Sequence, residues 1–206
     1  ELAKKENEHV VAYEALMRPQ LPTLRSPLTV MQLASEMGRL YDIEKLTFFR
    51  ACECYEELEA AGKLDADALI FVNSIASVSL SDEDWASYCE AHSAILPKLV
   101  VEITEEEEMN ERELERKRNV PGAIGVFALD DYGSGYSNGN SLLTIAPKYV
   151  KVDIAIIRGI DTDADKQQFL MTLIDYAHPR GVQVLAEGVE TLSELRKVLE
   201  MGVDLL

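Results

Sequence analysis

The chain has 206 residues and a formal net charge of −17, from 37 Asp and Glu against 20 Lys and Arg. That length suits one domain, a large barrel included. The acid excess argues against direct DNA or RNA binding, which needs a basic face, and no apolar run approaches the roughly 20 residues of a membrane helix.

Taken in order, residues 1–9 are charged, lack a core pattern and read as a hairpin tip or a frayed terminus. Val10-Val11-Ala12-Tyr13 predicts a strand that ends in Glu14-Ala15-Leu16-Met17-Arg18 and is stopped by Pro19 and Pro22. Val30, Leu33, Ala34 and Met37 predict a helix from about Leu28. Asp42 is the expected cap of a longer helix through Leu46, Phe49 and Leu58, closed by Gly62. Ala68-Leu69-Ile70-Phe71-Val72 is an apolar strand ending at Asn73. Ser81 with Asp82, Glu83 and Asp84 opens the next helix, with acid where the helix dipole favours it.

Leu99-Val100-Val101 predicts a strand ending in Glu102-Ile103-Thr104-Glu105, followed by an acidic run from Glu105 to Glu115 that reads as a solvated helix face. Ile124-Gly125-Val126-Phe127-Ala128-Leu129 is a strand that ends in Asp130 and Asp131, and a glycine-spaced loop follows, Tyr132-Gly133-Ser134-Gly135. A short helix is expected around Leu142 and Leu143. Tyr149-Val150-Lys151-Val152-Asp153 is a strand with charges at its end, and a helix from about Asp163 carries Phe169, Leu170, Leu173, Ile174 and Ala177 on one face. Val182 to Ala186 is a strand ending in Glu187-Gly188-Val189-Glu190, and Thr191 with Glu194 forms a capping box. Val203-Asp204-Leu205-Leu206 begins one more strand.

Strands and helices thus alternate at the roughly 30-residue spacing of βα units, which predicts a parallel sheet. Seven strands can be counted; a closed eight-stranded barrel needs one more, most simply before residue 1. An open doubly wound sheet is the alternative, but no glycine-rich phosphate fingerprint stands at a first turn.

Glu14, Asn73, Glu102, Asp130, Asp131, Lys151 and Glu187 all fall at the carboxyl ends of predicted strands. In a βα barrel those ends converge on the face that carries active sites. Each residue alone reads as a turn former or a solvated charge; their joint choice of the same strand end does not. Carboxylates so gathered need cations, and an all-oxygen set suits Mg²⁺ or Mn²⁺. His9, His92 and His178 lie away from the strand ends and read as structural or surface groups. Cys52, Cys54 and Cys89 form no disulfide framework or CxxC pair, which points to reduced thiols and a cytoplasmic protein.

These residues also carry a family resemblance. Tyr13-Glu14-Ala15-Leu16-Met17-Arg18 resembles the EALxR signature of the EAL-domain family, the cyclic di-GMP phosphodiesterases. Asp130 to Ser137 resembles its DDFGTGYS loop, Glu102 to Glu105 its ELTE segment, Lys151-Val152-Asp153 its KxD strand and Ala186 to Thr191 its AEGVET segment. The motifs occur in the family's order over essentially the whole chain. Tyr132 and Ser134 replace the commoner Phe and Thr, Pro19 replaces a Trp, and the stretch from Pro19 to Pro27 is shorter than usual.

The resemblance implies an α/β fold, a modified (β/α)8 barrel with one antiparallel strand. It makes residues 1–206 a single EAL-type domain truncated at both ends, its first strand missing. It implies metal-dependent hydrolysis of cyclic di-GMP to linear pGpG. Glu14, Asn73, Glu102 and Asp130 would ligate one ion, and Asp130, Asp131 and Glu187 a second. Lys151 would position or polarise the attacking water, so that Lys151, Glu187, Asp130 and Glu14 form the catalytic set. Arg18 and Leu16 would contact substrate, and Glu105, Glu190 and Asp153 would support the loops and the metal site. A homodimer is implied, as is fusion to sensory or GGDEF domains, in the cytoplasm or on the cytoplasmic side of a membrane-anchored protein. The alternatives are an inactive EAL-like cyclic di-GMP receptor or regulatory module, and a different Mg²⁺-dependent barrel enzyme.

Overall fold

A computed structural model describes residues 10–21, 24–65, 67–104, 111–119, 126–134 and 140–206. The described residues form two compact units, one comprising residues up to Glu102 together with helix α4 (Glu111–Arg118), the other Phe127–Leu206 with the last residues of strand β3 (Leu99–Thr104).

In the first unit, strands β1 (Ala12–Ala15), β2 (Leu69–Asn73) and β3 pair in parallel and in chain order, with Ala15 opposite Val72 and Asn73 opposite Glu102. β2 and β3 are buried along nearly their whole length, which is why they read as continuous apolar runs rather than alternating ones. Helices α1 (Pro27–Glu36), α2 (Leu40–Ala60) and α3 (Asp82–Ala91) connect them. Phe48 of α2 stacks edge-on against Trp85 and Tyr88 of α3, with ring centroids 5.3 and 5.8 Å apart. Ser81 caps α3 as expected, its hydroxyl accepting from the Asp84 N–H at 3.1 Å.

Two expectations are corrected here. The first strand lies two residues later than predicted, so Glu14 is inside β1 rather than beyond it. Asp42 does not cap α2: the helix starts at Leu40 behind Arg39, and Asp42 sits in its first turn, ion-paired to the Arg39 side chain. Gly38, at φ +65, turns the chain so sharply after α1 that the next helix begins almost at once.

In the second unit, β4 (Val126–Tyr132), β5 (Tyr149–Val152) and β6 (Gln183–Ala186) pair in parallel and in order. Helix α5 (Asn140–Ile145) follows β4, and α6 (Ile154–Ile157) and α7 (Ala164–Ala177) follow β5. Helix α8 (Leu192–Met201) follows β6. Asp163 caps α7, and Thr191 with Glu194 closes a full capping box on α8. The core is made by Leu129, Val150, Val152, Ile157, Ile160, Leu170, Val184 and Val198. The predicted seventh strand appears as a single parallel bridge, Leu205 to Leu185.

All the strand pairs named above are parallel; an antiparallel strand is not among them. Residues 1–9, Ile124 and Gly125, Gly135 to Ser137 and most of the acidic run, for which the sequence carries expectations, lie outside the described residues. Among the described residues, no helix is long and apolar enough to cross a membrane.

Candidate functional site

The first unit carries three of the expected ligands. Parallel register puts Asn73, the last residue of β2, beside Glu102, which lies inside β3 two residues before its end rather than beyond it as predicted, and Glu14 one residue before the end of β1. The Asn73 amide nitrogen donates to Glu14 Oε1 at 3.3 Å and to Glu102 Oε2 at 3.1 Å. Glu102 is 1% exposed. A carboxylate so buried is costly without neutralising partners. Rotation about the terminal side-chain bond interchanges amide oxygen and nitrogen, so Asn73 can equally offer Oδ1 to a cation.

The second unit carries the remainder. On a regular strand, neighbouring side chains point to opposite faces, yet Asp130, Asp131 and Glu187 bring carboxylate oxygens within 4.8 Å of one another. A bulge makes this possible. Leu129 pairs with Val150 and Tyr132 with Val152, so β4 holds one residue more than β5 between those pairs, and Asp131 takes a left-handed φ of +55. Aspartate is among the few residues besides glycine that visit this conformation.

Lys151 Nζ lies 2.9 Å from both Asp130 Oδ1 and Glu187 Oε1, with its side chain 4% exposed. Gly188, at φ +64, follows Glu187 so closely against Ile154 that an added Cβ would stand 2.5 Å from that side chain.

The donor chemistry fits a hard divalent cation. Three clustered carboxylates with one ammonium in this unit, and two carboxylates with an amide in the other, are oxygen donors of the kind Mg²⁺, Mn²⁺ and Ca²⁺ prefer. No histidine or cysteine belongs to the three-carboxylate cluster. His92 is buried against Glu56 at 3.2 Å, and His178 pairs with Asp204 at 3.1 Å.

The expected supporting residues are placed as follows. Arg18 and Leu16 are exposed just after β1, with the Arg18 guanidinium donating to the Met17 carbonyl. Asp153 caps α6, accepting from the Ala155 N–H at 2.7 Å. Glu190 ion-pairs with Arg158, which holds its carboxyl below the usual range. Glu105 lies outside the described residues.

Sequence reasoning missed a buried pair, Glu44 with Lys117, and its partner Ser74. A signal was present: Glu44 stands in helical register with the buried Phe48, Cys52 and Tyr55 of α2, so a lone carboxylate occupies a core position.

Comparison with known proteins gives a consistent result. The family model described as EAL domain matches residues 4–206. The cyclic di-GMP phosphodiesterase NbdA of Pseudomonas aeruginosa is 29% identical over 203 residues, covering 94% of this chain and 25% of its own. The manganese and cyclic di-GMP complex of Klebsiella pneumoniae BlrP1 superposes with a TM-score of 0.77 at 25% identity, over 95% of this chain and 49% of that one. A standalone EAL protein from Vibrio cholerae O395, in its cyclic di-GMP-bound form, gives a TM-score of 0.73 at 25% identity, over 94% and 81%. The chain spans a quarter to a third of the length of the first curated relatives it matches.

Proposed function

This chain belongs to the EAL-domain family, and from that membership we propose that it hydrolyses cyclic di-GMP to linear pGpG with divalent metal. The observation that carries the reading is the carboxylate cluster of Asp130, Asp131 and Glu187, with Lys151 bridging Asp130 and Glu187. In this reading Asp130, Asp131 and Glu187 hold one Mg²⁺ or Mn²⁺. Glu14, Asn73 and Glu102 would hold a second.

A phosphodiester is a poor electrophile because its negative charge repels an incoming oxygen nucleophile. Divalent ions supply Lewis-acid polarisation of the phosphoryl oxygens and lower the pKa of a water. The chain's own residues do the rest. Lys151, anchored on two carboxylates, holds them in place and sets positive charge where charge grows on the phosphoryl oxygens in the transition state. The Arg18 guanidinium is suited to a bidentate grip on a substrate phosphate, and Leu16 offers apolar contact beside it. Asp153, Glu190 and Glu105 brace the segments after the ligand-bearing strands. Attack at phosphorus then expels the ribose oxygen and opens the ring.

The family pattern further assigns an eight-stranded barrel with one antiparallel strand, a homodimer, a cytoplasmic setting and attachment to sensory or GGDEF domains. The length of the relatives supports attached domains.

The test is incubation of the full-length protein with cyclic di-GMP and Mn²⁺ or Mg²⁺, following pGpG by chromatography. Turnover is expected, with a loss of at least about 100-fold in kcat for Asp130→Asn at saturating metal. Binding without turnover favours the receptor alternative, and undiminished hydrolysis by Asp130→Asn removes the assignment of the site.

A further inference from the structure

Directly after Asn73 the chain enters a buried ionic network. The Ser74 hydroxyl donates to Glu44 Oε1 at 2.6 Å, and the Ile75 N–H donates to Glu44 Oε2 at 2.8 Å. Lys117 Nζ donates to Glu44 Oε1 at 2.7 Å and to Ser74 Oγ at 2.6 Å. The Glu44 and Lys117 side chains are each 1% exposed. The Ser74 N–H in turn donates to the Glu102 carbonyl at 2.9 Å. Glu44 of α2 and Lys117 of α4 thus grip, from two helices, the two residues that follow Asn73.

A buried ion pair is a weak source of stability, because desolvation cancels much of its attraction, and an apolar pair of similar volume often serves as well. What an apolar pair cannot supply is direction. Both oxygens of Glu44 are committed to consecutive residues, and charge-assisted hydrogen bonds are short and geometrically demanding. They fix the backbone from which the Asn73 amide reaches Glu14 and Glu102.

We propose that Glu44 and Lys117 are positioning residues for the Asn73–Glu102 part of the cation site, a role that rests on the metal-dependent reading above. They touch neither metal nor substrate; they hold the amide and the Glu102 backbone at the spacing a cation requires. Residues that orient ligands in this way typically alter metal affinity by about 10- to 100-fold when removed.

The test uses the full-length protein and three variants, with Mn²⁺ affinity from calorimetry read beside thermal melting. Glu44→Gln/Lys117→Met removes both charges together and leaves no lone buried ion. It is expected to melt close to the wild type, to bind Mn²⁺ about 10- to 100-fold more weakly, and to recover kcat when Mn²⁺ is raised. Asn73→Ala is the reference for loss of the ligand itself. Wild-type Mn²⁺ affinity in the double variant, beside weakened binding in Asn73→Ala, overturns the positioning role and leaves the site standing. Unchanged binding in Asn73→Ala overturns both. If the double variant does not fold, Ser74→Ala decides: it leaves Glu44 and Lys117 each one hydrogen bond short, so it is expected to melt lower but remain folded at the temperature of the calorimetry and to bind Mn²⁺ roughly 3-fold more weakly, and wild-type affinity overturns the proposal.

Discussion

Asp131 shows how one backbone angle determines what a side chain can do. Its φ of +55 lies where most L-residues are strained, and its carboxylate stands with those of Asp130 and Glu187. Left-handed backbone costs about 1–2 kcal/mol for a residue with a Cβ, and like-charge repulsion adds to it. Asp131→Gly removes both penalties and one proposed metal ligand. In metal-free buffer this variant is expected to melt no lower than the wild type, while its Mn²⁺ affinity falls at least about 10-fold; melting curves in EDTA, paired with calorimetry in Mn²⁺, check this. A clear drop in melting temperature without metal would mean that the carboxylate is structural. The adjacent aspartates at the close of an apolar strand were legible in the sequence. The bulge was not, because strand alternation predicts opposite faces and a positive φ is usually announced by glycine.

Elements start and stop where local chemistry dictates, and here the helix caps read most reliably. Ser81 and the Thr191–Glu194 box bond as their spacing predicts, and Asp163, read only as the start of its helix, caps it as well. Glu194 also accepts from the Gly159 N–H at 2.9 Å, so the box ties the turn after α6 to the start of α8. That bond first, then those from Glu190 and Thr191, hold the Glu194 carboxyl down from 4.5 to about 2. The folded state therefore binds this proton more weakly than the unfolded chain. Its stabilisation is complete above about pH 4.5 and is lost as pH falls towards 2. Glu194→Gln is accordingly expected to lower the melting temperature at pH 7 and to converge on the wild type as pH approaches 2. A constant gap across that range would show that the carboxylate's charge is not what the turn uses. Asp42 misled because a capping residue type in the first turn and a cap look alike in sequence; the turn at Gly38 decides which it is.

At the scale of the molecule, a net charge of −17 draws cations to the folded chain. Cations bound by the folded chain alone should stabilise it by mass action. Mn²⁺ at about a hundred times its Kd is expected to add about 2.7 kcal/mol, seen as a rise in melting temperature that EDTA reverses. Sodium chloride at matched ionic strength should give less, since it only screens; equal shifts from the two would mean that no specific site is occupied.

The order of the carboxylate-bearing strands, the βα rhythm and the caps at Ser81 and Thr191 were determined by the sequence by itself. Apolar runs, adjacent carboxylates and capping residues act over a few neighbouring positions, where composition and period suffice. Pairings between distant residues were decided only by the tertiary structure. Lys151 between Asp130 and Glu187, and Asn73 between Glu14 and Glu102, depend on strand register. The Lys117–Glu44 contact closes a separation of 73 residues. A charged residue in a sequence looks the same whether water or a buried partner will receive it. Only the packing of α2 and α4 around the end of β2 removes the water and commits Glu44 to Lys117.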